Sequence, residues 1–489
     1  MKEALTRLEA APQPAAQRET LVAAIIGGAQ FISMLDATVI MNALPTMARS
    51  LNQSPISLNL AITTYLIAAA MFLPVGTWIA DRYGARTVFR FAIAGFALSS
   101  ILCGLAHSLW ELVAARAFQG AAGAMMLPVG RLILLKSVPR ERLMNALAVL
   151  SIPAMLGPVL GQPIGGLIVT FGSWRWIFFL NLPIAALGIL LVTLFVPEVK
   201  EEHRTPLDWQ GFLLAGVSLA SLMFGFENIG RGALPWQAII AFLAIGAIGT
   251  WMLVRHTRRV EAPIVDLSLF RFATFRTAAT GGLMTRVQIG GVPFLLALML
   301  QVSFGLSPLA AGLITATGAI GSLLVKSVTP PLLRRWGFRT VLIANTALSS
   351  LMLLAYATFS AWTPVVWMVL VVFSAGLIRS VQFTSLNAMS YSDVPQSNMS
   401  RASSLTAMIQ QLAQGFGVGV SALVLHFAAR LGGHDQMQIS DVRTAFIVLA
   451  VLSASALWFF VKLPPHAGAQ MSGHRREDVK LQQLEEEAA

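Results

Sequence analysis

Long apolar runs constrain this chain more than any other feature. A helix that crosses the hydrocarbon core of a bilayer needs about 20 mostly apolar residues, and fourteen such segments follow one another along the sequence. They lie at roughly 21–46, 57–80, 87–107, 110–135, 143–170, 175–196, 209–228, 236–254, 274–302, 308–330, 339–360, 364–390, 401–429 and 442–462. Backbone groups in lipid must be paired within the segment, so these runs predict helices. The expected fold class is an all-α polytopic membrane protein with 14 transmembrane helices.

The distribution of charge supports this class and predicts an orientation. Only 11% of the 489 residues are charged, whereas soluble domains average about a quarter, so the chain has too little charge for a water-exposed surface. One alternate set of loops is rich in Lys and Arg and the opposite set is sparse. The positive-inside rule places the rich set in the cytoplasm, and an even helix count then places both termini there. The net charge of +12 therefore reflects orientation, and nucleic acid is not an expected partner.

A weak internal repeat predicts the domain organisation. Residues 78–86 and 331–339 align without gaps, so that Gly84 meets Gly337 between the second and third helices of a six-helix half. Two six-helix bundles with two inserted helices are therefore expected, as in transporters built from repeats. The expected divisions are a cytoplasmic tail at 1–20, a bundle at 21–196, two additional helices at 197–271, a bundle at 272–463 and a tail at 464–489. The last tail is polar and is predicted to be solvated and disordered.

Two charged residues in predicted helices are costly unless they face a protein interior. Asp36 follows a long apolar stretch in the first helix, and Arg116 lies in the fourth. Intramembrane charges look inward and find partners, so Asp36 is a candidate partner of Arg116. Gln119 shares the helical face of Arg116. The alternative is an arginine that snorkels to the interface, because Glu111 marks the helix end nearby.

The loop after the second helix combines glycines with charge. Gly84 permits a left-handed turn, and Gly76 lets another helix approach closely. Asp81 lies beside Arg82 and Arg86, and a carboxylate with guanidinium partners can form a charge latch that breaks when helices move. The alternative is an ordinary basic cytoplasmic turn.

The fifth helix carries a stripe of small residues. Gly157, Gly161 and Gly165 are four residues apart and form one smooth face that allows close helix packing. Pro158 removes a backbone donor and is expected to bend the helix. Such a helix suits a rocking interface between the bundles, and plain tight packing is the alternative that the spacing leaves open.

Polar residues within the predicted helices are the candidates for lining a substrate cavity. They are Gln119, Arg286, Arg379, Asn387, Gln410 and Gln414. The two arginines are the stronger candidates because they are charged and far from predicted helix ends. Amide side chains in membrane helices more often hydrogen-bond neighbouring helices, and this alternative stays open for the other four.

Several motifs in order resemble one family. Residues 35–45, 76–86, 116–123, 157–166, 173–183 and 401–417 resemble the motifs of the 14-helix drug/proton antiporter branch of the major facilitator superfamily. Residues 124–131 resemble a subgroup of multidrug efflux proteins in Gram-negative inner membranes. The chain departs from the pattern at 161–163, which read Gly-Gln-Pro, and at Arg334, which replaces the equivalent of Asp81 in the second half.

The resemblance implies proton-coupled export of small amphipathic compounds across the cell inner membrane by alternating access. It implies that Asp36 is the proton-coupling carboxylate, that Arg116 is its relay partner, and that Asp81 with Arg82 and Arg86 forms the conformational latch. The energy source would be the proton gradient, with no cofactor and no metal. The alternatives are a facilitator or importer of a specific solute, an intramembrane enzyme or sensor, and a transport-dead scaffold; no motif of an intramembrane enzyme is present. Substrate identity, proton number, oligomeric state and periplasmic or outer-membrane efflux partners stay open.

Overall fold

The structure, a computed structural model, describes residues 15–53, 55–200, 206–229, 234–261, 263–306, 308–433 and 438–474. All regular elements within this part of the chain are helices. We number the principal helices α1 to α14, and each overlaps the predicted span of the same number. They are α1 (Ala15–Ser50), α2 (Pro55–Phe72 and Gly76–Tyr83), α3 (Ala85–Leu105), α4 (Leu109–Ser137), α5 (Arg140–Phe171), α6 (Trp176–Phe179 and Asn181–Phe195), α7 (Trp209–Asn228), α8 (Trp236–Thr257), α9 (Ala273–Ala297), α10 (Pro308–Leu324), α11 (Thr329–Ala357), α12 (Val365–Met389), α13 (Met399–Leu431) and α14 (Ile439–Ser455 and Leu457–Val461).

The predicted all-α class is confirmed, and the number of spans is bounded. Within the described residues, 12 helices are long and apolar enough to cross a membrane, and 13 if the two segments of α2 form one span. Those segments meet at a bend of 53°, which the sequence analysis did not predict. Pro74 lies at the break and lacks the N–H that would continue the helix. The count of fourteen stays a prediction, because several side chains of the 32-residue α5 lie outside the described residues.

The two aligned loops of the repeat adopt similar backbone conformations. Gly84 has a φ of 98° and Gly337 a φ of 70°, both in the region that other residues rarely adopt. The left-handed turn predicted at Gly84 is therefore present. A Cβ at Gly84 would lie 2.5 Å from Glu198 Oε1, and one at Gly337 would lie 2.9 Å from His474. The missing side chain at Gly84 thus leaves room for Glu198, which follows the last helix of the first half. The missing side chain at Gly337 leaves room for His474, which follows the last helix of the second half.

The chain termini define one side of the helix bundle. Glu19, near the start of α1, pairs with Arg142 at the start of α5 at 3.3 Å. The described C-terminal segment lies on the same side, where Arg140 donates to Gln470 at 3.4 Å. We call this the terminus side and the opposite one the far side. The disorder predicted for the C-terminal tail is wrong for residues 464–474, because Ala469–Ser472 forms a short helix with Met471 buried.

The apolar core is shared between the halves on one side only. On the terminus side, one cluster of buried side chains joins residues of α1–α8 with residues of α9 and α11–α14. On the far side, the first half has its own cluster around Leu35 and Phe178, and the second half has another around Leu295 and Phe446. The halves therefore pack together at the terminus side and have separate cores at the far side.

Hydrogen bonds between the halves lie on the terminus side as well. Arg140 donates to the carbonyl oxygens of Ser392 and Val394 at 2.9 and 2.6 Å. Ser403 and Ser404, near the start of α13, donate to the carbonyl oxygens of the two prolines within α4 and at the α2 break. We refer to these contacts as the closed gate. They are the contacts that would have to break if the halves separated on this side.

The pair α7 and α8 packs beside these helices. Asp208 caps the first turn of α7 and accepts a 2.7 Å hydrogen bond from His256 at the end of α8. Glycines of α13 approach α7 closely: a Cβ at Gly419 would lie 3.0 Å from Phe226. Most of α8 is exposed along its length, with few buried residues, as expected of a helix that faces lipid.

Candidate functional site

The candidate site is centred on Asp36, which lies in the middle of α1 and is 3% exposed. Its neighbours come from three other helices. Arg116 and Gln119 are one turn apart on α4, Ser100 lies on α3, and Asn181 begins the second segment of α6. A helical spacing of three residues places Arg116 and Gln119 on one face, which here is turned toward α1. We call these five residues the Asp36 centre.

The carboxylate of Asp36 accepts three hydrogen bonds. Arg116 Nη1 donates to Oδ2 at 2.6 Å, and both side chains are buried. Gln119 Nε2 and Asn181 Nδ2 donate to Oδ1 at 3.2 and 3.0 Å. The same two amides also donate to Ser100 Oγ, at 2.8 and 3.2 Å. The negative charge is thus matched by one guanidinium and by two amides that Ser100 holds in place, as a buried charge requires.

The guanidinium of Arg116 is held on its other side by α2. Its Cζ lies 4.3 Å from the ring centre of Tyr65, within the range of a cation–π contact. Arg116 Nη1 also donates to Gln119 Oε1 at 2.5 Å. Gly120 permits this approach of α2 to α4, because a Cβ there would overlap the backbone oxygen of Tyr65. The structure therefore brings Asp36 and Arg116 together and excludes the snorkelling alternative for Arg116.

The glycine stripe of α5 packs against α1 at the level of Asp36. A Cβ at Gly157 would lie 2.7 Å from Met34 Cβ, one at Gly161 would overlap Thr38 Oγ1, and one at Gly165 would lie 3.0 Å from the oxygen of Val39. The stripe thus sets how closely α5 approaches the segment of α1 that carries the carboxylate. This contact lies within the first half, as the tight-packing alternative predicts. Since α5 also meets α10 and α12 of the second half, the rocking interface stays a prediction. The side chain of Pro158 lies outside the described residues.

The charged residues of the predicted latch have partners that the sequence analysis did not name. Lys136, at the end of α4, donates to Asp81 Oδ1 at 2.9 Å. Arg86 lies 3.7 Å from Glu198, which also accepts the backbone N–H of residue 86 at 3.0 Å. The guanidinium of Arg82 lies over aromatic rings, 5.6 Å from that of Trp78. The predicted pairing of Asp81 with its neighbouring arginines is therefore wrong, since α4 and the segment after α6 supply the partners. Met125 Cα would lie 3.4 Å from a Cβ at Gly76, so α2 and α4 are close at that glycine.

The candidates of the second half divide into two groups. Arg286, Asn387 and Gln410 are buried and connected: Arg286 Nη2 donates to Asn387 Oδ1 at 3.2 Å, and Gln410 Nε2 donates to the same oxygen. Gln414 is exposed and Arg379 is half-buried, and neither joins this group.

Four functional candidates were missed by sequence reasoning. Asn181 stands within the motif at 173–183, and an amide at the start of an apolar helix was the available signal. Arg131 ends the motif at 124–131 and donates to Gln410 Oε1 at 3.1 Å. Lys326 is 1% exposed and lies near the end of the predicted span at 308–330, and Lys136 lies in the basic stretch between the predicted spans at 110–135 and 143–170. A basic residue at a helix end carries no local signal that separates an interior position from a loop position.

The Asp36 centre contains an ion pair whose charge balance would change if the carboxylate were protonated. A protonated Asp36 carries no charge and would leave the guanidinium of Arg116 without a counter-charge. No group of three or more His, Cys, Asp or Glu side chains among the described residues could hold a metal ion.

The many apolar helices define a multi-pass membrane protein, and its interior contains a buried ion pair. The chain belongs to the Major Facilitator Superfamily, whose family model matches residues 26–418 and 278–484. The predicted resemblance to this superfamily is thereby confirmed.

Curated relatives and solved structures agree with this membership. A protein of Pectobacterium atrosepticum described as "Putative multidrug resistance protein MdtD" is 35% identical over 462 residues, which cover 93% of this chain and 97% of the relative. A protein of Escherichia fergusonii with the same description is 34% identical, covering 91% and 95%. Among solved structures, the human organic anion transporter MFSD10 has a TM-score of 0.64 at 15% identity, covering 92% of this chain and 100% of its own. The proton:xylose symporter XylE has a TM-score of 0.62 at 16% identity, covering 94% and 98%. At these identities the two structures support the fold alone.

Proposed function

We propose that this protein is a proton-coupled secondary transporter that exports small amphipathic compounds by alternating access. The observation that carries the proposal is the buried ion pair of Asp36 with Arg116. A carboxylate inside the membrane is energetically costly and therefore rare, and where one occurs it marks a functional site. The description of the curated relatives as multidrug resistance proteins supports the same class of substrate. The proposed location is the cell inner membrane, with both termini in the cytoplasm.

In this mechanism the proton binds at Asp36. Protonation removes the charge that Arg116 Nη1 contacts at 2.6 Å. Gln119 and Asn181 each donate to the carboxylate and to Ser100, so they can keep a hydrogen bond to Ser100 while the contacts to Asp36 rearrange. Protonation therefore neutralises one carboxylate, on α1, and removes the counter-charge of one guanidinium, on α4. The contact between α1 and α4 is the one that would weaken.

The conformational step is a rocking of bundle 21–196 against bundle 272–463. The separate apolar cores on the far side and the closed gate on the terminus side fit a state that opens away from the termini. With the termini in the cytoplasm, this is a state open toward the periplasm. Opening to the cytoplasm would break the hydrogen bonds from Arg140 to the second half.

The conformational latch belongs to the same step. Asp81 and Lys136 join the second segment of α2 to the end of α4, next to the closed gate. The carbonyl oxygen of Leu135, which precedes Lys136 in α4, accepts a hydrogen bond from Gln396 of the second half. Movement of this end of α4 would therefore couple the Asp81–Lys136 pair to the closed gate. Breaking of the Asp81–Lys136 pair would accompany opening on the terminus side.

The proposal is tested with everted inner-membrane vesicles that contain the protein. Export by this transporter appears there as uptake of a fluorescent amphiphile, either cationic ethidium or anionic carboxyfluorescein, that depends on a pH gradient, with proton movement measured in parallel. Asp36→Asn should abolish uptake against a gradient and the coupled proton flux. Asp393→Asn, which changes an exposed acid, should leave both unchanged.

Two results would count against the assignment. Full-rate uptake against a gradient by Asp36→Asn would remove Asp36 from the coupling step. Uptake that persists unchanged after the pH gradient is collapsed would instead indicate a facilitator, which is the alternative reading of this fold.

A further inference from the structure

Three buried cations of the interior have no carboxylate partner among the described residues. They are Arg131 on α4, Arg286 on α9 and Lys326 after α10, which are 4%, 2% and 1% exposed. We call them the cation cluster. Arg116 in the first half differs, because it has Asp36 at 2.6 Å. Burying a charge without a counter-charge costs several kcal/mol, so such groups are rare and functional in membrane helices.

Neutral side chains connect the members of the cation cluster. Arg131 Nη2 donates to Gln410 Oε1 at 3.1 Å, and the amide of Gln410 contacts Asn387 Oδ1. Arg286 Nη2 donates to that same oxygen at 3.2 Å. Two guanidinium groups, one from each half of the protein, are therefore separated by only two amides.

Lys326 reaches the same face of α12. Its Nζ donates to Thr384 Oγ1 at 2.8 Å. Thr384 and Asn387 are three residues apart, so they are neighbours on the helix surface, with about 5–6 Å between their Cβ atoms. One face of α12 therefore accepts hydrogen bonds from two cationic side chains, from Lys326 at Thr384 and from Arg286 at Asn387.

Several donors in this region are buried without a hydrogen-bond partner among the described residues. They are Arg131 Nη1, Arg286 Nε and Tyr391 Oη. Tyr391 lies two residues after the end of α12 and four residues after Asn387. An unsatisfied buried donor is destabilising, and more so when it is charged, so a ligand that accepts from these atoms would recover that free energy.

We propose that the cation cluster binds a negatively charged group of the transported compound, such as a carboxylate, sulfonate or phosphate. Guanidinium groups offer planar forks of donors that match these anions, and Lys326 adds a point charge. This deepens the proposed function and rests on it: the exported compounds are anionic amphiphiles rather than lipophilic cations. The position of the cluster between the halves lets a bound anion contact α4 and α9 at once.

The test is a binding measurement on the full-length protein purified in a neutral detergent. Carboxyfluorescein serves as the anionic probe and ethidium as the cationic probe, and fluorescence polarisation is the readout. We expect carboxyfluorescein to bind and Arg286→Gln to weaken its binding about tenfold or more, because a hydrogen bond to a charged group contributes about 1.5–3 kcal/mol. Arg286→Lys, which keeps the charge, should lose less.

The matched control lies on the same helix. Arg276 is an exposed arginine of α9, and Arg276→Gln should leave carboxyfluorescein binding unchanged. Arg131→Gln is the second cluster variant, with correct folding of each variant checked by gel filtration. Since Arg131 lies in the other half, a parallel loss in both variants would place the anion between the halves.

Three results would overturn the proposal. The first is tighter binding of ethidium than of carboxyfluorescein by the unmodified protein. The second is an equal response of Arg286→Gln and Arg276→Gln. The third is displacement of carboxyfluorescein by phosphatidylglycerol in the micelles, which would assign the cluster to a lipid headgroup. Binding needs no gradient, so anion binding without vesicle transport of either probe would reject the export function alone, and ethidium transport without anion binding would reject the anion site alone.

Discussion

Replacement of Asp36 by Asn should destabilise the folded protein strongly, because it removes one partner of a buried ion pair. The asparagine keeps one carbonyl oxygen, whereas the carboxylate accepts from Arg116, Gln119 and Asn181. Arg116 keeps its charge and its 1% exposure but loses the counter-charge. Breaking a buried pair in this way costs about 3–5 kcal/mol of the free energy of unfolding.

A double-mutant cycle separates the ion pair from other effects. Arg116→Gln should cost a similar amount, about 3–5 kcal/mol, because it leaves the carboxylate uncompensated. The double variant removes both charges and leaves two amides that can hydrogen-bond each other. Its cost should be about 1–2 kcal/mol, well below the sum of the two single costs.

The assay is unfolding in mixed detergent micelles, followed by far-UV circular dichroism at neutral pH. Asp393→Asn, at an exposed acid, should shift the free energy of unfolding by less than about 0.5 kcal/mol. Additive single costs, or an Asp36→Asn variant as stable as this control, would refute the reasoning.

Two further predictions concern packing and acid sensitivity. Gly161→Ala should lower the free energy of unfolding by about 1–3 kcal/mol and reduce transport, because its Cβ would overlap Thr38. The control Gly28→Ala should leave the free energy of unfolding unchanged, because the space around Gly28 is open. Equal losses in the two variants would contradict this interpretation. Burial would raise the pKa of Asp266, but hydrogen bonds from a nearby backbone N–H and from Arg401 hold it below its ordinary value. The stabilisation from this lowered pKa is complete above the pKa of Asp266 in the unfolded chain and is lost as the pH falls through its lower pKa in the folded protein. Unfolding curves should therefore show Asp266→Asn to be less stable than the unmodified protein at neutral pH, and the two curves should converge in acid.

Much of the fold could be predicted because lipid restricts the choices. Each of the principal helices α1 to α14 overlaps a predicted apolar run, since backbone groups in lipid are satisfied within the helix. The bend in α2 was missed because a single proline does not by itself indicate whether a helix kinks or continues. The helices also extend beyond the apolar runs, as α1 does from Ala15, because polar residues at helix ends lie outside the hydrocarbon.

The candidate site was predictable only in part. The cost of an isolated charge identified Asp36 and Arg116, and helical spacing added Gln119. The partners of Asp81 and Arg86 were wrong because neighbours in sequence were preferred over distant helices. Glu198 is one example: it binds the backbone N–H of Arg86 from 112 residues away.

The sequence by itself determined the membrane class, the order of the helices and the carboxylate that has no place in lipid. These follow from local free energies: the transfer of apolar side chains, the pairing of backbone groups and the cost of a buried charge. Only the tertiary structure decided which groups meet. Arg131 contacts Gln410 across 279 residues of sequence, and the cation cluster exists only because two halves pack together. Contacts between distant helices depend on how whole helix faces fit, and no local pattern encodes that fit.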